Sequence, residues 1–219
     1  MPSLEFFRHL GLFVCRNFFD TPLCEWLAAE IAGSIGEKAR ITGRGGEEFI
    51  DESQRRVLSA VNVKRSASHL VKARLRELKP ALERHFQIPL AGCQGPMFLS
   101  YEKGGFYTAH SDASLGAPAG IQARRVSVVI FLNQASEEPD GNCYGGGGLK
   151  FYGLLGGEQW ERCAFTLDPE PGLLIAFPSA TFHEVRPVTH GRRFTIVAWF
   201  VADRANAAHA IAAGAASSD

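Results

Sequence analysis

The stretch LLIAFPSATFHEVRPVTHGRRFTIVAWFV, Leu173–Val201, holds two apolar runs around a polar turn. The first, Leu173–Phe177, lies between Gly172 and Pro178. It is too short for a typical helix and reads as a buried strand. The second, Arg193–Val201, alternates. Arg193, Thr195, Val197 and Trp199 share one face, and Arg192 falls on the other with Phe194, Ile196 and Ala198. An arginine aimed into a β interior would be a costly unpaired charge. A ligand carboxylate would satisfy it bidentately, with Thr195 adding a hydroxyl. Alternation alone does not decide which of Arg192 and Arg193 points inward.

The same texture extends N-terminally. Pro96–Tyr101, Arg125–Asn133, Gly148–Tyr152 and Ala164–Leu167 are short, rich in Val, Ile, Phe and Leu, and separated by Gly, Pro or Asn. Several short strands with turn signals predict a mainly β sandwich or barrel. Upstream the reading changes to helices. Thr21 is placed to cap a helix through Ile31, with Pro22 at its first position. Leu70, Val71, Leu75, Leu78 and Leu82 predict a second helix over Ser66–Phe86, broken or kinked at Pro80. Residues 41–64 between them, rich in glycine and charge, read as a flexible loop, and the plain reading of Asp51–Arg56 is a solvated one. The Ala-rich tail from Arg204 reads as a short helix that frays.

The chain has 219 residues and 46% hydrophobic content, enough for one sizeable core. Residues 1–203 are expected to form one domain, with helical support and a loop in 1–90, a β core in 95–203, and a tail over 204–219. Lys plus Arg and Asp plus Glu number 23 each, which gives no net electrostatic footprint for nucleic acid or an anionic membrane. The five cysteines, Cys15, Cys24, Cys93, Cys143 and Cys163, form no Cys-x-x-Cys pair. That argues for reduced thiols in a cytoplasmic protein. Leu10–Cys15 after Arg8-His9 is too short for a signal peptide, and no stretch approaches the roughly 20 apolar residues of a membrane span.

His110-Ser111-Asp112 is a His-x-Asp, which on a strand places imidazole and carboxylate on one face. Alone, the pattern is more often a surface polar pair. His183, expected in the turn after the Leu173–Phe177 strand, completes a set of two histidines and one carboxylate. That set leaves positions open on iron for a chelating cosubstrate and oxygen. A structural zinc site would want a fourth protein ligand, and none sits at a useful spacing.

With these residues in place, the chain resembles the prolyl 4-hydroxylase-like branch of the 2-oxoglutarate/Fe(II) dioxygenases and is similar to the oxygen-sensing prolyl hydroxylases. The resemblance runs in family order through Tyr101–Asp112, Arg125–Asn133, Gly147–Phe151, Pro171–Pro178, His183–Val188 and Gly191–Trp199. It implies a double-stranded β-helix (jelly-roll, cupin-like) core behind N-terminal helices. It implies Fe(II) on His110, Asp112 and His183, 2-oxoglutarate anchored by Arg193, O2 as oxidant and ascorbate as reductant. Tyr101, Thr195 and Leu149 would line the cosubstrate pocket, Tyr107 its mouth. Arg55 and Arg56, in what looks like the family's mobile substrate loop, and Trp199 would meet substrate. Phe131 stands where some relatives have a tyrosine, leaving the distal carboxylate to Thr195 or Tyr101. His190 reads as a solvated turn residue.

The reaction so implied is hydroxylation of a C–H bond with release of succinate and CO2, foremost on a prolyl residue of a peptide or protein. The alternatives are a hydroxylase of a free amino acid or small metabolite, favoured if residues 41–64 form a rigid lid, and a catalytically silent metal-binding scaffold. A nucleic-acid demethylase fits less well, because those relatives carry a second arginine where this chain has Trp199. Oligomeric state is not readable from the chain.

Overall fold

The computed structural model describes residues 2–43, 45–113, 117–138, 141, 143–157, 163–167 and 169–202. The expected Ala-rich tail lies outside them. The elements in order are α1 (Leu4–His9), β1 (Phe13–Cys15), α2 (Thr21–Ala32), β2 (Gly36–Lys38), β3 (Ile41–Thr42), β4 (Glu48–Phe49), β5 (Arg55–Arg56), β6 (Leu58–Ala60), α3 (Arg65–Phe86), β7 (Leu90–Tyr101), β8 (Phe106–His110), α4 (Ala119–Gln122), β9 (Arg124–Phe131), β10 (Gly145–Gly146), β11 (Leu149–Tyr152), β12 (Ala164–Leu167), β13 (Leu174–Pro178), β14 (His183–Val185), β15 (Val188–His190) and β16 (Arg193–Ala202).

The major sheet has the order β1-β13-β9-β16-β7-β6-β2, and the minor sheet β12-β11-β14-β8-β5. Two-residue alternation lets each major strand serve two cores. β9 sends Val126, Val128 and Ile130 to the helices, where they meet Val71, Leu75 and Leu82 of α3. It sends Val129 and Phe131 into the space between the sheets, with Leu149, Phe151 and Phe177. This is a jelly-roll core with helices on its outer face, and the site sits between the sheets.

Several local expectations change. The cap of α2 is Asp20, not Thr21. Asp20 is extended and its Oδ1 accepts from the Leu23 amide at 3.0 Å, while Thr21 already lies in the helix. α3 runs through Pro80 and ends at Gln87 in the left-handed region, φ 56°. Pro80 is exposed, so the carbonyl it leaves without an amide partner can be hydrated. The apolar Phe13–Cys15 is a strand paired with Ala176–Leu174 of β13.

Residues 41–64 are not an unpaired loop. β3 and β4 form a hairpin, β5 adds to β8 at the edge of the minor sheet, and β6 pairs with β2 and β7. Strands of two or three residues leave no readable periodicity. They form because each open sheet edge offers unpaired amides and carbonyls.

Candidate active site

Register brings the two histidines together. β14 pairs antiparallel with β8 so that His183 lies opposite His110, and the ring centroids are 4.3 Å apart. β8 ends at His110, so Asp112 lies past the strand, and His183 opens β14 instead of sitting in the preceding turn. The expected same-face geometry of His-x-Asp is therefore not strand alternation. It comes from a connection back to the other segment: the amides of Asp112 and Ala113 both donate to the Ser179 carbonyl at 2.9 Å.

Each imidazole is oriented the same way. Nδ1 of His110 is hydrogen-bonded to the Thr108 carbonyl at 2.8 Å, and Nδ1 of His183 to the Thr181 carbonyl at 2.9 Å. Both Nε2 atoms are thereby aimed at the Asp112 carboxylate, at 3.7 Å to Oδ1 and 3.6 Å to Oδ2. The three ligand-type atoms lie within 4.8 Å of one another. Orienting a ligating histidine through its second nitrogen is the usual outer-sphere device of metal sites.

Electrostatics suit a cation. Burial pushes the Asp112 carboxyl upward, but His183, His110 and hydrogen bonding from Ser127 and Trp199 outweigh it, and the group stays below its ordinary value. Burial first and then His183 hold His110 well below its ordinary value, so it is neutral at pH 7. A carboxylate beside a neutral imidazole is the protonation state a divalent ion needs.

Arg193 is the inward arginine. It is 1% exposed, while Arg192 reaches outward to the Ser100 hydroxyl at 3.2 Å and Glu102 at 3.8 Å. The Arg193 guanidinium lies between the rings of Tyr101 (4.9 Å) and Phe131 (5.1 Å). One long hydrogen bond reaches Thr195 Oγ1 at 3.5 Å, and Nε and the second Nη have no partner among the described residues. A buried cation in this state calls for an anion. Arg193 and the triad line one cleft, with Tyr101, Tyr107, Leu149, Thr195 and Trp199 in its wall.

A family model for the 2OG-Fe(II) oxygenase superfamily matches residues 96–201. The match covers just under half of the chain. A PKHD-type hydroxylase of Nitrobacter winogradskyi is 34% identical over 107 residues, 48% of this chain and 42% of that protein. A PKHD-type hydroxylase of Sphingopyxis alaskensis is 32% identical over 47% of this chain and 41% of that protein. The chain thus spans about two fifths of the length of these curated relatives. Among solved structures, a Pseudomonas putida prolyl-4-hydroxylase aligns with TM-score 0.64 and 22% identity over 91% of this chain and 97% of that one. A Trichoplax adhaerens prolyl hydroxylase, in complex with a hypoxia inducible factor peptide fragment, aligns with TM-score 0.68 and 18% identity over 93% and 89%. These two likenesses bear on the fold.

The 2OG-Fe(II) oxygenases take their name from two bound groups, and the residues fit both. Two histidines and one carboxylate make an iron(II) set with open positions. The unpaired, buried Arg193 fits a dicarboxylate cosubstrate.

The remaining sequence candidates divide. Leu149 is buried in the wall of the oxygenase cleft. Tyr107 stacks on His110, centroids 3.5 Å apart, and Arg55 covers its other face at 4.7 Å. Arg56 is not in this cleft. It lies over Phe106 at 5.6 Å and lines an adjoining cavity. Trp199 is in the cleft, yet its contacts run to Asp112 and to Arg124, whose guanidinium is 3.9 Å above the indole. His190 is not a solvated turn residue: it ends β15, pairs across to Gly145 and is half-buried with its Nε2 out of water, away from the cleft lining.

Sequence reasoning missed Arg124, Ser127 and Ser179. Arg124 Nη1 donates to the Asp112 carbonyl at 3.3 Å and its Nε to Gln94 Oε1 at 3.0 Å. Ser127 Oγ and Ser179 Oγ are hydrogen-bonded to each other at 3.0 Å. Their positions depend on cross-strand register such as Trp199 opposite Ser127, which no local pattern announces.

Proposed function

We propose that the chain is a 2-oxoglutarate- and Fe(II)-dependent dioxygenase that hydroxylates a prolyl residue in a peptide or protein. The observation that carries the reading is Arg193: a buried guanidinium with no acid partner among the described residues, in the same cleft as two histidines and a carboxylate. Bound iron(II) with 2-oxoglutarate supplies the oxidising chemistry, in which one oxygen atom of O2 ends in succinate and the other in the substrate hydroxyl, with release of CO2.

The chain's own residues do the positioning. His110, Asp112 and His183 would hold the metal. Arg193 takes the distal carboxylate of the cosubstrate, helped by Thr195, while Tyr101 and Leu149 wall it from water. Excluding water strengthens that ion pair. Tyr107, clamped between His110 and Arg55, and Trp199 border the substrate space. No side chain has to move a proton as general base. The PKHD-type hydroxylase relatives support hydroxylation, and the solved neighbours that are prolyl hydroxylases support a prolyl substrate. Residues 1–203 act as one unit in this reading, with α3 packed on the sheet that carries Arg193. The unpaired cysteines among the described residues support a reducing, cytoplasmic setting.

One observation favours a second reading, oxidation of a free amino acid or small metabolite. β5 is paired to β8 and walls the cleft, instead of hanging open as a long loop.

The test starts with anaerobic Fe(II)-loaded protein and 2-oxoglutarate. A metal-to-ligand charge-transfer band in the visible spectrum is expected. His183→Ala should abolish it, and Arg193→Ala should raise the 2-oxoglutarate concentration needed by about 30-fold or more. Absence of the band despite confirmed iron binding overturns the cosubstrate assignment. Proline-rich peptides that gain one oxygen atom in step with succinate release would support the peptide reading, and a one-oxygen gain on free amino acids alone would support the second.

A further inference from the structure

Beside the oxygenase cleft lies a second cavity of about 200 Å³, lined by Lys38, Glu52, Arg55, Arg56, Lys103 and Glu102 over a floor of Val57 and Leu58. Arg55 belongs to both spaces, because it lines the metal cleft as well. Its charge balance is uneven. Each acid is already engaged, Glu52 by Lys38 Nζ at 2.6 Å and Glu102 by Arg192 Nε at 3.8 Å. Arg55, Arg56 and Lys103 have no carboxylate at ion-pair distance among the described residues. Arg55 Nη1 donates to the Arg40 carbonyl at 3.0 Å, while its Nε is buried without a partner.

Surplus cations are common on surfaces, where water solvates them. Two of these three, Arg55 and Arg56, differ in being held against aromatic rings. The guanidinium of Arg55 covers the Tyr107 ring and that of Arg56 the Phe106 ring. β5 fixes both on the edge of the minor sheet, opposite Tyr107 and Phe106. Planar guanidinium groups stacked on rings lose less entropy on binding a carboxylate than free lysines do. A partly enclosed cavity also screens the charges less than open solvent does.

We propose that this cavity is a substrate subsite for an anionic side chain, carboxylate or phosphoryl, carried a few residues from the one that is oxidised. The inference rests on the reading of the cleft as a peptide-oxidising site. An extended peptide advances roughly 3.3 Å per residue, so one chain can occupy both spaces, with Arg55 at their junction. Arg55, Arg56 and Lys103 are then specificity residues, and the acidic flank selects among prolyl peptides.

The experiment reads binding, not turnover. Protein loaded with Mn(II) and 2-oxoglutarate is titrated into short fluorescein-labelled peptides with one central proline. They carry Glu, phosphoserine, Gln or Lys at each flanking offset in turn, and anisotropy is followed. At one offset an anionic peptide should bind about 10-fold or more tighter than its Gln counterpart, as one charge-assisted contact provides. The advantage should shrink as salt rises. The tighter of Glu and phosphoserine identifies the natural anion. Arg56→Glu and, separately, Lys103→Glu should remove the preference or shift it to the Lys peptide. Equal affinities, no binding of any peptide, or a preference unchanged in both variants would overturn the proposal. The series is repeated with the proline replaced by alanine. An anion preference that persists while no peptide is ever hydroxylated keeps the subsite and rejects prolyl oxidation.

Discussion

The core strands β7–β16 and the segment from β2 to β6 build the same cleft in different ways. In the core, β9 and β16 are paired on both sides over most of their length, and their inward side chains are buried or half-buried. They carry Arg193 and Thr195, proposed here to hold a cosubstrate anion, and Ser127 and Trp199, which face the Asp112 carboxylate. In the segment the strands have two or three residues, β2 and β5 form the sheet edges, and the side chains are mostly exposed. They carry Lys38, Arg55 and Arg56. The family match covers residues 96–201 and leaves the segment out. Chemistry needs fixed geometry, which a doubly paired strand supplies. In the proposed reading, substrate choice falls to an edge that can change without unravelling the sheets.

Three substitutions test this contrast, from largest to smallest expected effect. Leu75 is buried under the major sheet, so Leu75→Ala should destabilise the protein by about 2–5 kcal/mol, read from urea unfolding midpoints. A loss well below that would mean the helix layer is not part of the cooperative core. Arg124→Met removes the hydrogen bond to the Asp112 carbonyl and the stack on Trp199. It should weaken metal affinity by roughly 10–100-fold, measured by Mn(II) titration, with a smaller effect on stability. Unchanged affinity would show that Ser179 and Ser127 alone position the ligand. Arg56→Gln, at the exposed edge, should shift stability by less than about 0.5 kcal/mol in the same unfolding assay. A larger loss would make β5 a structural strand and erase the contrast.

One backbone detail sharpens it further. Gly147 has φ +62°, and a Cβ there would stand 2.9 Å from Arg193 Cδ and 3.1 Å from a Val188 methyl. The glycine run before Leu149 is thus a packing requirement of the buried arginine, and it lies in the core where small errors matter most.

Much of this protein was legible locally. Short apolar runs bounded by Gly and Pro mark β9, β11, β12, β13 and β16 to within a residue or two, because burial on two faces imposes its own composition. Period-2 alternation in Arg193–Trp199 separates the two arginines into opposite faces. Residue chemistry narrows the site, since two histidines and a carboxylate admit few metals, and resemblance of several motifs in order pointed to the oxygenase core. The rest depended on tertiary structure. His110 meets His183 through a strand register, and Asp112 is turned toward them by the Ser179 carbonyl, not by alternation. Which arginine faces inward, what braces Asp112, and how Arg55 and Arg56 join the minor sheet are all pairings between segments far apart in the chain. A local pattern records which face of a strand is apolar. It cannot record which strand lies alongside, because that choice is made by hydrogen bonds and packing that exist only when the whole sheet has closed.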